Sequence, residues 1–115
     1  MKYYYKGKLV RTSDNNYRYA SVWETEESFK VCSCSSTWMG ANKRITEEIN
    51  STLRGIDYYT IYLDAIIEGK EYFCYKNKTK KVVEERERVE QYLNYEKERL
   101  EKQRKYYKVV ELEVK

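Results

Sequence analysis

The sequence predicts an α+β fold: an antiparallel sheet with one short amphipathic helix and one long charged C-terminal helix. Three observations predict it. Strand-like alternation fills the first third of the chain, apolar residues recur at three- and four-residue steps after Ser35, and the stretch from about Lys81 to Tyr106 is dense in Glu, Arg, Lys and Gln. At 115 residues the chain is long enough for one core and short for two, so a single domain over 1–115 is expected.

The first stretch, Tyr3-Tyr4-Tyr5-Lys6-Gly7-Lys8-Leu9-Val10-Arg11-Thr12, is aromatic and β-branched around one glycine, which reads as a strand pair or a bulged strand. Ser13-Asp14-Asn15-Asn16 has turn chemistry and predicts a hairpin into Tyr17–Trp23. Alternation there sets Tyr17, Tyr19, Ser21 and Trp23 opposite Arg18, Ala20 and Val22. A further strand is expected over Phe29–Cys34.

Trp38, Ala41, Ile45, Ile49 and Leu53 then mark a helix with a hydroxyl N-cap among Ser35, Ser36 and Thr37, which Gly55 is placed to end. On these spacings Trp38 belongs to the core and Trp23 is the surface aromatic. The apolar run Tyr58–Ile67, rich in aromatic and β-branched residues, predicts a central strand. Another strand follows at Glu71–Tyr75, then a basic loop Lys76–Lys81. The long helix carries a thin stripe of Val82, Val89, Leu93 and Leu100, and the closing alternation predicts a last strand.

Composition narrows the function classes. The chain holds 14 Tyr against 2 Phe and 2 Trp, rings that bury a face while the hydroxyl stays wet. Net charge is +4, and residues 1–57 carry 9 basic and 7 acidic side chains, so both halves are +2. That excess is small for a nucleic-acid groove, and a polymer partner is not expected. No apolar run approaches the roughly 20 residues needed to cross a bilayer, and the expected location is cytoplasmic. Cys32, Cys34 and Cys74 have no metal-ligand spacing and are expected as reduced thiols.

There is no histidine, which removes the usual general base and the commonest metal ligand. Asp57, Asp64 and Glu68 read as solvated or paired carboxylates, and the four glycines form no phosphate-cradling cluster. The expectation is therefore binding without catalysis, with no metal and no cofactor. Arg18, Arg44, Arg54, Arg86, Arg88, Arg99 and Arg104 offer forks for phosphate, and Tyr17, Tyr19, Trp23, Phe73 and Tyr75 offer stacking faces. Arg99 and Arg104 follow the Leu93/Leu100 stripe toward the sheet. The lysines of 76–81 are a further source of phosphate-neutralising charge.

The opening Tyr5-Lys6-Gly7-Lys8-Leu9-Val10-Arg11-Thr12-Ser13-Asp14-Asn15, the strand Tyr17–Val22 and Val31-Cys32-Ser33-Cys34 running into Ala41-Asn42-Lys43-Arg44 resemble one known group. It is the first Thoeris anti-defence family of phage proteins, cytosolic sponges for cyclic ADP-ribose signals. The resemblance covers about the first 45 residues; the later strand and the charged helix agree in order. It implies a homo-oligomer in the host cytosol that sequesters glycocyclic ADP-ribose, with cyclic trinucleotides a further ligand class. Carried over to this chain, it implies a late-strand aromatic, Phe73 or Tyr75, and helix arginines, Arg99 and Arg104, with Arg18 and Arg54 for the remaining phosphate contacts. The competing expectation is a phage protein–protein inhibitor or interaction module acting on a host defence protein.

Overall fold

The computed structural model describes residues 1–115, and they form an α+β fold of two helices and antiparallel strands. The elements are β1 (Lys2–Tyr5), β2 (Lys8–Thr12), β3 (Tyr19–Glu24), β4 (Phe29–Ser35), α1 (Trp38–Ala65), β5 (Tyr72–Tyr75), β6 (Lys78–Lys81), α2 (Val82–Tyr106), β7 (Tyr107–Glu111) and β8 (Glu113–Val114). Two compact units result: Met1–Ile49 with Lys102–Lys115, and Asn50–Glu101. Each helix contributes residues to both.

In the first unit β1 and β2 form a tight hairpin. Lys6 and Gly7 are its two turn residues, both at positive φ (50° and 75°), the pair of left-handed residues that matches the twist of two-residue hairpins. The bulge expected here falls between Tyr3 and Tyr4. The hairpin expected across Ser13–Asn16 does not form. β2 pairs with β1 alone, while β3 lies between β4 and β7 in a separate sheet, and β8 returns to β1. The turn chemistry itself is present, with the Ser13 hydroxyl accepting from the Asn15 amide at 3.1 Å. It serves a crossover between sheets, and β1 and β3 take further partners, β8 and β7, from the far end of the chain, which no local signal reveals.

The two sheets enclose Tyr3, Ala20, Val22 and Leu112. Ser21, on the opposite face of β3, is buried too and shares a hydrogen bond with the Ser33 hydroxyl. Tyr17 precedes the strand and packs its ring edge-on against Tyr3 at 5.6 Å, so it joins the core rather than the Tyr19 face. Trp23 is half-buried between Tyr106 and Tyr107, not a free surface aromatic.

Thr37 caps α1, its hydroxyl accepting from the Gly40 amide at 3.0 Å. Trp38, expected in the core, is 51% exposed: at the first helical position it precedes the apolar stripe that begins at Ala41. The larger correction concerns length. α1 runs through Gly55 and absorbs residues 58–65 of the Tyr58–Ile67 run expected as a strand, reaching 28 residues. Tyr59, Tyr62, Leu63 and Ile66 pack on the core of the second unit with helical spacing, and Thr60 and Asp64 remain outside. Burial of that stripe outweighs the β propensity of its residues.

Gly55 is thus interior to a helix, where glycine costs about 1 kcal/mol relative to alanine. A Cβ there would sit 3.3 Å from Glu96 Oε2, the movable end of a long side chain. Gly55→Ala is expected to stabilise the protein by about 0.5–1 kcal/mol, read as a raised denaturation midpoint. A glycine ending the helix would give the opposite sign.

In the second unit, β5 and β6 form a hairpin whose turn, Lys76 and Asn77, again has both residues at positive φ. Lys78–Lys81, expected within a basic loop, is therefore strand. α2 follows directly, and its stripe of Val82, Val89 and Leu93 is buried as the spacing predicts. No helix is long and apolar enough to cross a membrane.

Candidate functional site

Within the second unit the later turns of α1 present Tyr58, Ile61, Tyr62 and Ala65 along one face, by the three- and four-residue spacing of neighbours on a helix. Alternation along β5 sets Phe73 and Tyr75 on a common face, and the β5–β6 register places Lys80 opposite Phe73. The two elements meet through their rings. Tyr62 lies 4.5 Å from Tyr75 and 6.0 Å from Phe73 between centroids, and Tyr58 lies 6.3 Å from Tyr62.

These residues enclose a cavity of about 330 Å³ lined by Tyr58, Ile61, Tyr62, Phe73, Cys74 and Tyr75. It falls within the roughly 300–1,000 Å³ range of small-molecule sites, and its lining is mostly aromatic. Polar groups stand at defined points. The Tyr58 and Tyr75 hydroxyls share a hydrogen bond of 2.5 Å, and the ammonium groups of Lys76 and Lys80 lie 5.4 and 5.7 Å from the centre of the Tyr75 ring. Flat apolar walls beside fixed cations suit a planar heterocycle that carries negative charge.

Behind the rings sits Glu85, in the first turn of α2, with a side chain only 6% exposed. Its Oε1 accepts from the Tyr62 hydroxyl at 2.8 Å, from Lys80 Nζ at 3.0 Å and from Arg88 Nη2 at 2.5 Å. Burial alone would raise the Glu85 carboxyl, but these three donors hold it below the ordinary carboxylate range. Burial, followed by the bond to Glu85, pushes the Tyr62 hydroxyl well above an ordinary phenol. One carboxylate thereby fixes a cavity wall and two cations.

Phe73 and Tyr75 are the sequence-nominated residues found at this cavity. Arg99 and Arg54, in the same unit, are exposed on α2 and α1 and do not line it. Arg99 lies eleven residues beyond Arg88, about 16 Å along the helix axis. Arg18 and Arg104 belong to the first unit; Arg18 faces Glu111 at 3.4 Å and stacks over Tyr19 at 5.4 Å. The cations at the Tyr75 ring are Lys76 and Lys80, from the lysine run named in the sequence, and Arg88, also among the arginines named there, bonds to Glu85 behind them. The sequence does not single out Tyr58 and Tyr62, because reading residues 58–67 as a strand hides their helical spacing from one another, nor Glu85, whose partner Tyr62 is 23 residues away.

Folding also sorts charge that is even along the chain. The first unit carries 13 basic against 8 acidic residues, a net +5, and the second carries 10 against 11, a net −1. The cations around the aromatic cavity are therefore a local arrangement within a unit of almost balanced charge.

The first unit has its own buried carboxylate, Glu24. Its oxygens accept from the Tyr5 hydroxyl at 2.8 and 2.9 Å, from Lys108 at 2.9 Å and from Lys6 at 3.0 Å. Burial alone would raise this carboxyl; hydrogen bonds from Lys108, Lys6 and Tyr5 hold it down at about 2. Burial and then Glu24 push Tyr5 up to about 12. A depressed folded-state value means the stabilisation is complete above the unfolded value of 4.5 and is lost as pH falls through about 2. With both lysines more than half exposed and screened, about 1–2 kcal/mol is expected to disappear across that window. Chemical denaturation at successive pH values measures it, and Glu24→Gln should flatten the acid slope.

Comparison with protein-family models, with curated proteins and with solved structures found no match to this chain.

Proposed function

We propose that this protein binds and sequesters a cyclic nucleotide immune signal of the glycocyclic ADP-ribose class, without cleaving it, as a phage anti-defence sponge in the host cytosol. One observation carries the reading: the aromatic cavity between α1 and β5, with Lys76 and Lys80 over the Tyr75 ring. Adenine stacks on such walls, and a pyrophosphate needs cations nearby. The sequence resemblance supports the same ligand class, and capture needs no general base, in keeping with a chain that has no histidine. Cyclic trinucleotides share these chemical features and are a second ligand class under this proposal. Assembly into a homo-oligomer belongs to it as well.

Cys74 gives a readout from the same hairpin: the residue borders the cavity, its exposed thiol lies 3.6 Å from the Thr79 hydroxyl on the other face of the strand pair, and Cys32 and Cys34 lie in the other unit. Glycocyclic ADP-ribose is expected to slow alkylation of Cys74 and leave Cys32 and Cys34 unchanged, as followed by peptide mass spectrometry. An unaltered Cys74 rate at saturating ligand contradicts the proposed site.

A second reading, a protein-binding inhibitor of a host defence protein, is favoured by the exposure of Ile61 (69%), Val83 (68%) and Tyr95 (63%) on the same unit. It requires no small-molecule protection of Cys74, so the alkylation experiment separates the two.

A further inference from the structure

On the other face of the β5–β6 hairpin lies a second cavity, larger and differently lined. Register pairs Tyr72 with Lys81 and Cys74 with Thr79, so Tyr72, Thr79 and Lys81 share the face opposite to Phe73, Tyr75 and Lys80. Tyr72, Thr79, Lys80, Lys81 and Arg88 border a space of about 650 Å³, with Glu84 and Glu85 from the first turn of α2. This cavity and the aromatic one have no lining residue in common and adjoin through Tyr62, Glu85 and Lys80. Tyr62 lines the aromatic cavity and donates to Glu85 of the charged one, and Lys80, a lining residue of the charged cavity, also stands over the Tyr75 ring.

The charge of this space is unevenly committed. Three cations, Lys80, Lys81 and Arg88, stand against two carboxylates, Glu84 and Glu85, and Oε1 of Glu85 already accepts from Tyr62, Lys80 and Arg88. Arg88 gives one hydrogen bond to Glu85 out of five N–H donors, its side chain is 50% exposed, and its guanidinium stands over the Tyr92 ring at 5.9 Å. Such a fork is held in orientation on one edge and open on another. Lys81 is exposed and borders the same space, as does Thr79, whose hydroxyl shares a contact of 3.6 Å with the Cys74 thiol.

From this arrangement we infer that the charged cavity is a phosphate subsite, in which Arg88, Lys81 and Lys80 receive the phosphate groups of a nucleotide whose base stacks in the aromatic cavity. The inference rests on the proposed nucleotide reading and gives it a direction, with the base among the aromatic rings and the phosphates beyond Lys80, which stands over the Tyr75 ring and borders the charged cavity. The open guanidinium edge of Arg88 meets two phosphate oxygens at once, while Lys81 and Lys80 act as point charges. Glu85 is a positioning residue here, since it acts through Arg88 and Lys80.

Adenosine and ADP are the probes, titrated by calorimetry into the full-length protein at two salt concentrations. ADP is expected to bind at least about tenfold more tightly than adenosine, with the advantage shrinking at high salt while adenosine affinity stays constant. In the Lys81→Ala/Arg88→Gln protein the ADP advantage should fall to about threefold or less, again with adenosine unchanged. The exposed single change Lys81→Ala gives a partial loss in a protein whose Glu85 cluster is intact, which guards against misfolding of the double variant. Equal affinity for adenosine and ADP in the unaltered protein overturns the phosphate subsite and leaves the aromatic site standing. Binding of neither probe overturns both.

Discussion

Replacing Phe73 and Tyr75 together by alanine is expected to weaken capture of glycocyclic ADP-ribose by about 100-fold, from the loss of two stacking walls at roughly 1–3 kcal/mol each. The two rings face Tyr62 across the cavity, and no other aromatic of β5 or β6 lies on their side of the hairpin. Both also pack on the core of the second unit, so circular dichroism and a denaturation curve must accompany the affinity measurement. Tyr75→Phe separates the two effects. It keeps the ring and removes only the hydroxyl shared with Tyr58, so affinity is expected within about threefold of the unaltered protein if stacking carries the binding. A loss as large as that of the double alanine protein would assign the energy to the hydroxyl pair instead.

The second large effect concerns Glu85. Glu85→Ala leaves the Tyr62 hydroxyl, Lys80 and Arg88 without the acceptor that all three share. Removing one partner from a fully buried ionic cluster costs roughly 3–5 kcal/mol. Here Lys80 is 23% exposed and Arg88 50% exposed, so water relieves part of the loss and about 2 kcal/mol is expected, read as a lowered denaturation midpoint. Glu85→Gln keeps one acceptor oxygen and should recover about half of that. Acidification acts on the same group. Because the carboxyl is held below its ordinary value, its contribution is intact above the unfolded carboxylate range and is lost as pH falls through the folded value. An unchanged midpoint in Glu85→Ala would show that the cluster contributes nothing net.

The fold class was legible in the sequence because strand alternation, a hydroxyl cap and a charged helical stripe agree with one another. Thr37 caps α1, and the Val82, Val89 and Leu93 stripe is buried along α2. Legibility failed where local preference and tertiary burial disagree. Residues 58–65 are β-favouring by type, yet Tyr59, Tyr62, Leu63 and Ile66 repeat at helical steps, and the buried stripe decides the outcome. Ser13–Asn16 has the chemistry of a hairpin turn, but the partners of β3 and β1 arrive from the far end of the chain.

The candidate site was half legible for the same reason. Phe73 and Tyr75 stand out as aromatic residues on a short strand. Glu85 receives Tyr62 from 23 residues away, a pairing with no local signature. Closeness to the Leu93/Leu100 stripe favours Arg99 and Arg104 in the sequence. The hairpin precedes α2 directly, so the cation that reaches it sits in the second turn of the helix, at Arg88.

The central claim, capture of an intact nucleotide signal, is tested most directly by recovery of the ligand. Purified protein is incubated with glycocyclic ADP-ribose, freed of unbound ligand by filtration and heat-denatured, and the released small molecules are identified by mass spectrometry. Intact glycocyclic ADP-ribose in proportion to protein is the expected result. Recovery of cleaved products would make the protein an enzyme, and recovery of nothing, with cyclic trinucleotides also passing through the filter, would contradict the account.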